Sequence, residues 1–269
     1  MMLRRLLPAA ALCLLGVQPA LANERHFTQS YETATLAPGV VELEPWATAR
    51  LGRDGYYTGI DNRLEFEVGL TDRLQTSMYV NWGVEGVRNP LTKGIDTTAN
   101  HRGVSSEWKL RLSDSVADPV GSALYLEFTL GPEEVEIEGK VLVDKRSGPW
   151  NVAVNGIYEF EHNYAESIEE HKLQATAAVG YFLADHLSVG LEAMDFNVVE
   201  PQVPGGSATL LHGAIYAGPV LSYGLGNWWV AASVTPQFYG YGKAVLPGRG
   251  LDLQDFERVQ ARVLMGVHL

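Results

Sequence analysis

Apolar and polar residues alternate along much of this chain. Between Arg63 and Leu70 every second residue is large and apolar, and the positions between them include Glu65 and Glu67. Successive side chains of a β-strand point to opposite faces, so this run predicts a strand with one apolar and one charged face. No window of the chain shows an apolar stripe at helical spacing with matching end caps.

Runs of this two-faced kind recur from one end of the chain to the other. They are Val41–Leu51, Arg63–Leu70, Leu74–Val84, Val104–Leu112, Leu124–Leu130, Val135–Val143, Trp150–Phe160, Leu173–Tyr181, Leu187–Ala193, Leu210–Leu221, Trp228–Val234 and Val259–Leu269. The sequence therefore predicts an all-β protein of about 12 strands. Ten strands would fit if two of the weaker runs are loops.

Two architectures accommodate so many alternating strands, a soluble sandwich or barrel and an outer-membrane barrel. The lengths of the links distinguish them. Tight turns occur at Thr71–Arg73, Leu183–His186 and Gly224–Asn227, and long links at 85–103, 162–171, 197–208 and 239–255. Counted along the chain, the long links fall at one end, with exceptions at 113–121 and Gly131–Glu134. This favours a transmembrane antiparallel up-and-down β-barrel with short periplasmic turns and long external loops.

In such a barrel the apolar face contacts lipid and the charged face lines the lumen. The candidate lumen-lining residues are Glu65, Glu67, Glu107, Lys109, Arg111, Glu127, Glu136, Glu138, Lys140 and Glu159. Acidic residues outnumber basic ones on this face, which predicts a preference for cations if the lumen conducts. Aromatic girdles at the membrane interfaces account for most of the tryptophans, whereas Trp46 and Trp229 have the phase of inward-facing residues.

Charge and cysteine content exclude several classes of protein. The 269 residues include 20 Lys and Arg against 32 Asp and Glu, a formal net charge of −12. Binding to nucleic acid is not expected, because it requires clustered basic residues. The only cysteine is Cys13, which excludes a disulfide scaffold and a cysteine-based zinc site.

The first 22 residues have the pattern of a secretory signal peptide. Arg4 and Arg5 precede the apolar run Leu6–Val17, and Ala20 and Ala22 supply the small residues of a cleavage site. We therefore predict a signal peptide at 1–22 and one barrel domain at 23–269. The expected location is the outer membrane of a Gram-negative bacterium, with outer-membrane lipid and the barrel-assembly machinery as partners.

The stretch from Glu65 to Gln75, which reads EFEVGLTDRLQ, has the form of a strand, a Gly-Leu-Thr-Asp turn and a second strand. It resembles a phrase shared by proteobacterial envelope barrels of the MetA-pathway-of-phenol-degradation type and related uncharacterised families. The resemblance implies an outer-membrane barrel that passes small or hydrophobic solutes, and it brings no catalytic residues. Weaker copies of this phrase occur at Gly180–Leu187 and Tyr223–Trp228. In the three turns we expect Asp72, Asp185 and Asn227 to hydrogen-bond their own backbone.

Two constellations could carry chemistry. His186 and Ser188 are two residues apart in a predicted strand, a spacing of roughly 7 Å that is too long for a nucleophile and its base. A second group, in a predicted acidic loop, contains His162, Glu166, Glu169, Glu170 and His171, without a recognised metal-ligand spacing. We therefore predict no catalytic, cofactor or metal site.

A passive channel or uptake protein for small solutes is the function that this pattern favours. A membrane-embedded hydrolase and a non-conducting structural barrel are the alternatives. A barrel of this size is narrow enough to be blocked by its own side chains, by the N-terminal segment 23–38 or by a loop folded inward.

Overall fold

The computed structural model describes residues 24–164, 167–200 and 209–269. Its strands close into one antiparallel barrel, in which each strand pairs with its neighbours in sequence and β1 pairs with β12. The strands are β1 (Val41–Leu51), β2 (Tyr57–Gly69), β3 (Leu74–Arg88), β4 (Ile95–Ser113), β5 (Gly121–Leu130), β6 (Glu134–Ser147), β7 (Trp150–Asn163), β8 (Ile168–Ala184), β9 (Leu187–Glu200), β10 (Thr209–Leu225), β11 (Trp228–Tyr241) and β12 (Val259–His268). The prediction of an all-β, up-and-down barrel is confirmed. The predicted signal peptide lies outside the described residues.

The two faces of each strand meet different surroundings. Leu64 and Phe66 point outward and are 43% and 46% exposed, whereas Glu65 and Glu67 between them are 2% and 5% exposed. Closing the sheet into a barrel thus hides the charged face and displays the apolar one. An apolar outer surface that continues around the molecule is suited to contact with lipid.

The tryptophans divide between these faces as the alternation predicts. Trp82, Trp108 and Trp150 are exposed on the outer surface. Trp229 is buried inside and its Nε1 donates to Glu42 Oε2 at 2.8 Å. Trp46 also lies inside, with the Arg63 guanidinium 4.2 Å from its ring centre.

Several links predicted as long loops are strand instead. The predicted loop 85–103 is a hairpin in which β3 continues to Arg88 and β4 begins at Ile95. The loops expected at 162–171, 197–208 and 239–255 are likewise shortened by strand residues. Residues 95–100 are exposed on both faces, so alternation cannot reveal a strand there.

The barrel has two unlike ends. The short-turn end carries the connections 70–73, 114–120, 148–149, 185–186 and 226–227, together with the start of β1 and the end of β12. The long-loop end carries the connection 242–258, which follows β11. Both exceptions to this pattern that the sequence predicts are present. The connection 114–120 is long although it lies at the short-turn end, and the connection 131–133 is short although it lies at the long-loop end.

The turn after β2 is held differently from the sequence prediction. Thr71, rather than Asp72, bonds the backbone, since Thr71 Oγ1 accepts from the N–H groups of Arg73 and Leu74 at 3.2 and 3.0 Å. Asn227 bonds the neighbouring strand, where its Nδ2 donates to the carbonyl oxygen of His268.

Among the described residues there is no helix long and apolar enough to cross a membrane.

Candidate functional site

The candidate lumen-lining residues lie inside the barrel, on the wall formed by β2 and β4–β7. Those that are buried are Glu65, Glu67, Glu107, Lys109, Glu127, Glu138, Lys140 and Glu159. Glu136 and Arg111 are half-buried. Arg111 lies apart from the others at the short-turn end, where it pairs with Asp114 at 3.1 Å.

Three of these acids form a tight cluster. Carboxylate oxygens of Glu65, Glu67 and Glu107 all lie within 4.8 Å of one another. Oxygen clusters of this kind are the ligand type that Ca²⁺ uses. Each carboxylate here accepts a hydrogen bond from the wall itself, from Ser77 to Glu65, from Gln75 to Glu67 and from Tyr125 to Glu107. The cluster is therefore satisfied by neutral donors.

The N-terminal segment comprises residues 24–40, and its residues 24–36 lie inside the barrel at the short-turn end. Five of its residues are at most 1% exposed, namely Phe27, Thr28, Ser30, Thr33 and Leu36. The segment leaves the wall beside β2, where Gly39 N–H donates to the carbonyl oxygen of Gly69 at 2.8 Å. Of the three plugs considered from the sequence, the N-terminal segment is the one that fills this half of the lumen.

The wall holds the segment chiefly through its backbone. Glu192 on β9 accepts from the N–H groups of Thr28, Gln29 and Ser30 at 2.9–3.0 Å, and from the Thr28 hydroxyl at 2.8 Å. A carboxylate bound to several N–H groups makes charge-assisted hydrogen bonds, which are stronger than neutral ones. Glu192 is 1% exposed and belongs to the segment's binding site more than to an open lumen.

Further contacts follow the segment across the barrel. Asp144 on β6 accepts from the Thr33 hydroxyl at 2.6 Å, and Gln75 on β3 accepts from the N–H of Leu36 at 2.9 Å. Gly69 is required where the chain passes, because a Cβ there would lie 2.2 Å from the carbonyl oxygen of Ala37. The strands are thus shaped to admit the segment.

An ion pair lies near the start of the segment. His26 Nδ1 is 2.9 Å from Glu32 Oε1, and Asn151 Nδ2 also donates to that oxygen. Burial would raise the pKa of Glu32, but the His26 charge and the hydrogen bonds outweigh it and lower that pKa to about 2. Burial would lower the pKa of His26, but Glu32, with a smaller contribution from Glu24, raises it despite the charge of Arg146.

The connection 242–258 folds into the opposite end of the barrel. Asp252, Leu253 and Glu257 are buried. The Glu257 carboxylate pairs with Arg50 at 3.0 Å and also with Arg53. An inward loop therefore narrows the long-loop end while the N-terminal segment fills the short-turn end.

A polar cavity of about 420 Å³, lined by side chains of the barrel wall, remains in the lumen; we call it the central cavity. Its lining includes Arg63 and Arg262 on one side and Glu134, Glu136 and Glu161 on the side of β6 and β7. The cavity is thus bordered by opposite charges on facing walls.

The family model that matches this chain covers residues 19–141 and 143–269. The chain belongs to DUF6662, a family of unknown function. No curated protein matches this DUF6662 sequence. The match does not assign the MetA-pathway type, to which the turn phrase after β2 bears a resemblance.

Solved structures with a similar fold include outer-membrane channels and porins. The COG4313 outer membrane channel from Pseudomonas putida F1 is similar with a TM-score of 0.68 and 10% identity, over 90% of this chain and all of that one. The NanC porin has a TM-score of 0.54 at 11% identity, over 84% of this chain and all of that one. The KdgM porin has a TM-score of 0.50 at 11% identity, over 84% of this chain and 98% of that one. At such identities the likeness shows the fold alone.

The two groups weighed for chemistry are not assembled in this DUF6662 barrel. His186 is exposed in a turn with its ring against Tyr223, whereas Ser188 is buried inside, so the two side chains do not lie on one face of a strand. His162 and Glu169, predicted in a solvated loop, lie on paired strands with 3.7 Å between Nδ1 and Oε1.

The other residues of that predicted acidic loop are separated as well. His171 accepts or donates a hydrogen bond with Tyr158 at 2.8 Å, and Glu170 pairs with Lys172 at 3.3 Å. Glu170 and Lys172 border the central cavity, whereas Tyr158 is exposed on the outer surface. Glu166 lies outside the described residues.

Proposed function

We propose that the protein is an outer-membrane channel for small polar solutes that is closed by its own N-terminal segment. The observation that carries the proposal is the position of that segment, which crosses a charged lumen and is held there by wall side chains. The short-turn end is then periplasmic, and the N-terminal segment is the gate that moves when solute passes.

Two properties of the barrel support a passage for polar solutes. Its outer surface is apolar, whereas its lumen carries ion pairs such as Lys140 with Glu138 and Lys172 with Glu159, both at 2.7 Å. A hydrophobic solute in this lumen would replace water around such charges, which is unfavourable. We therefore favour polar solutes over the hydrophobic ones that the MetA-type resemblance also allows.

Deleting residues 26–36 tests the proposal. In planar bilayers the full-length protein should show small or rare current steps, and the deleted variant should conduct strongly and persistently. Folding of both proteins is checked by the heat-dependent shift in gel migration that barrel proteins show. A folded variant that passes no current would contradict the proposal and favour a non-conducting structural barrel.

A reversible tether tests the motion itself. The hydroxyl oxygens of Thr28 and Ser233 are 2.6 Å apart, so cysteines at both positions would join the segment to β11. The lone Cys13 lies in the predicted signal peptide, so the exported protein would carry no competing thiol. The oxidised double variant should remain closed, and a reductant should restore the gating of the native protein.

The matched control joins two strands of the wall instead. Ser113 and Ser122 have hydroxyl oxygens 2.7 Å apart on β4 and β5, so the corresponding pair of cysteines does not touch the segment. The control variant should open and close equally often with and without reductant. Equal behaviour of the two pairs would contradict a moving segment.

A further inference from the structure

The central cavity holds an arginine without a carboxylate partner. Arg262 donates from Nε to Thr48 Oγ1 at 2.7 Å and from Nη1 to the carbonyl oxygen of Thr28 at 3.4 Å. Within the described part of the chain, no acidic group lies within ion-pairing distance of its guanidinium. Other cationic groups border the same cavity but are matched, since Arg63 lies 3.5 Å from Glu127 and Arg102 lies 2.9 Å from Asp61.

A second unmatched donor lies beside this arginine. The indole Nε1 of Trp46 is buried and has no hydrogen-bond partner among the described residues. The ring of Trp46 lies under the guanidinium groups of Arg262 and Arg63, at 4.7 and 4.2 Å from its centre. A buried donor left unpaired costs stability, so a ligand that offers an acceptor would be stabilised here.

The acidic wall has the complementary feature. Among the residues that the structure describes, the carboxylate of Glu136 makes no ion pair or hydrogen bond, although it lies within 4.8 Å of Glu159 and Glu161. Lys172 pairs with both of those neighbours and leaves Glu136 unmatched. The same cavity therefore offers an unpaired guanidinium group on one wall and an unpaired carboxyl group on the other.

We infer that the central cavity binds a small zwitterion, with its carboxylate at Arg262 and Trp46 Nε1 and its ammonium at Glu136. Arginine binds carboxylates through its planar set of N–H donors, and an ammonium donates up to three hydrogen bonds to carboxylates. A simple anion would meet the unpaired Glu136, and a simple cation would meet Arg262. Only a molecule with both charges matches both walls.

The size of the cavity agrees with such a ligand. About 420 Å³ lies within the range of roughly 300–1,000 Å³ that is typical of small-molecule sites. Thr28 of the N-terminal segment contacts Arg262 directly, so the site lies immediately above the closed gate. The inference rests on the proposed function, since it names the class of solute that the channel would take.

Equilibrium dialysis of the full-length protein in detergent tests it without any requirement for current. The ligands are glycine, 4-aminobutyrate and 6-aminohexanoate, each compared with the carboxylate and the amine of the same chain length. We expect at least one zwitterion to bind in a saturable way and roughly tenfold or more tighter than either of its single-charge analogues. Equal binding of a zwitterion and its amine, or no binding of any zwitterion, would overturn the inference.

Variants of the two walls should separate the two ends of the ligand. Arg262→Gln should weaken zwitterion binding roughly tenfold and leave amine binding unchanged, and Glu136→Gln should weaken both. Trp46→Phe removes only the indole donor, and it tests the carboxylate end of the ligand if Arg262→Gln does not fold. Matched controls are Arg249→Gln and Glu169→Gln, whose exposed side chains lie outside the cavity; neither should change binding.

Dialysis tests the binding of zwitterions and conductance tests the proposed channel, so either claim can be wrong without the other. A protein that conducts after deletion of residues 26–36 but binds no zwitterion overturns this inference and leaves the channel. A protein that binds zwitterions but conducts in no form overturns the proposed function and leaves the binding site.

Discussion

The side chain of Asn155 forms hydrogen bonds with both backbone groups of Tyr31, its N–H and its carbonyl oxygen. Its Oδ1 accepts from the N–H of Tyr31 at 2.6 Å, and its Nδ2 donates to the carbonyl oxygen of Tyr31 at 2.9 Å. The side chain thus satisfies the two backbone groups that a neighbouring strand would pair. Asn155 is 1% exposed, so water does not compete for these bonds.

Replacing Asn155 with alanine should therefore loosen the gate. Two hydrogen bonds at about 0.5–1.5 kcal/mol each correspond to about 1–3 kcal/mol in the free energy of closure, or roughly 5- to 150-fold in the ratio of open to closed states. Single-channel open probability measures this ratio. Thr176→Val, which removes only the hydroxyl that donates to Asn155 Oδ1 at 3.0 Å, should have a smaller effect. An unchanged open probability in Asn155→Ala would show that this contact does not restrain the segment.

The ion pair of His26 with Glu32 predicts a pH dependence of the gate. The pKa of His26 is raised above its ordinary 6.5 in the closed state, so its contribution is complete below about 6.5 and is lost as the pH rises through the raised value. The pKa of Glu32 falls from 4.5 to about 2, so its contribution is complete above about 4.5 and is lost toward pH 2. The pair therefore holds the gate best between about pH 4.5 and 6.5, and opening should increase as the pH rises beyond that window.

Conductance recorded between pH 5 and 9 measures this dependence. His26→Gln removes the titrating ring and should abolish the rise on the alkaline side. A rise that persists in His26→Gln would assign the dependence to another group.

The charge of the lumen predicts preference for cations once the segment is removed. Glu134 and Glu136 border the central cavity, and acidic groups on a confined wall attract cations. Reversal potentials in a salt gradient should show this preference near 0.1 M and lose most of it near 1 M, since the Debye length falls from about 10 to 3 Å. Neutralising Glu134 and Glu136 together should weaken it, whereas Glu169→Gln should not. Anion preference in the segment-deleted protein would refute the prediction.

Charge on the outer surface should destabilise the barrel in lipid. Phe66→Arg and Val263→Arg place a cation where the side chains are 46% and 49% exposed to the surroundings. Each should lower the free energy of unfolding by about 2–4 kcal/mol if the position is near the middle of the membrane. Phe66→Leu is the control and should cost less than about 1.5 kcal/mol. Equal losses in urea unfolding for Phe66→Arg and Phe66→Leu would contradict the assignment of faces.

The inward face is less tolerant than the sequence alone suggests. An open, wet lumen would accept Glu67→Arg without loss of stability. Glu67 is 5% exposed, beside Glu65, and accepts from the amide of Gln75 at 2.6 Å. We therefore expect Glu67→Arg to destabilise the folded barrel as well.

The strands were predictable because their two faces meet opposite surroundings. That contrast produces the alternation of Leu64 and Phe66 with Glu65 and Glu67. It disappears at 95–100, where both faces of β4 are exposed, and there the sequence gives no sign of a strand.

The segment's binding site was not predictable in the same way. Glu192 reads as one more polar residue of an alternating strand, and its backbone partners at Thr28–Ser30 leave no mark in the sequence. Gly69 carries a weak signal, because it lies in the turn phrase, but its clearance from Ala37 depends on the path of a distant segment. Contacts between single residues far apart in the chain have no periodicity that a sequence pattern could report.

The position of the gate also sets an order of assembly. The N-terminal segment is synthesised before β1, yet its partners Asn155, Glu192 and Ser233 belong to β7, β9 and β11. Contacts so distant in sequence form only after long stretches of chain have been organised. The segment cannot take its final path until most of the strands surround it, so a part of the chain made before every strand is the last to become ordered, and its closure marks a completed barrel.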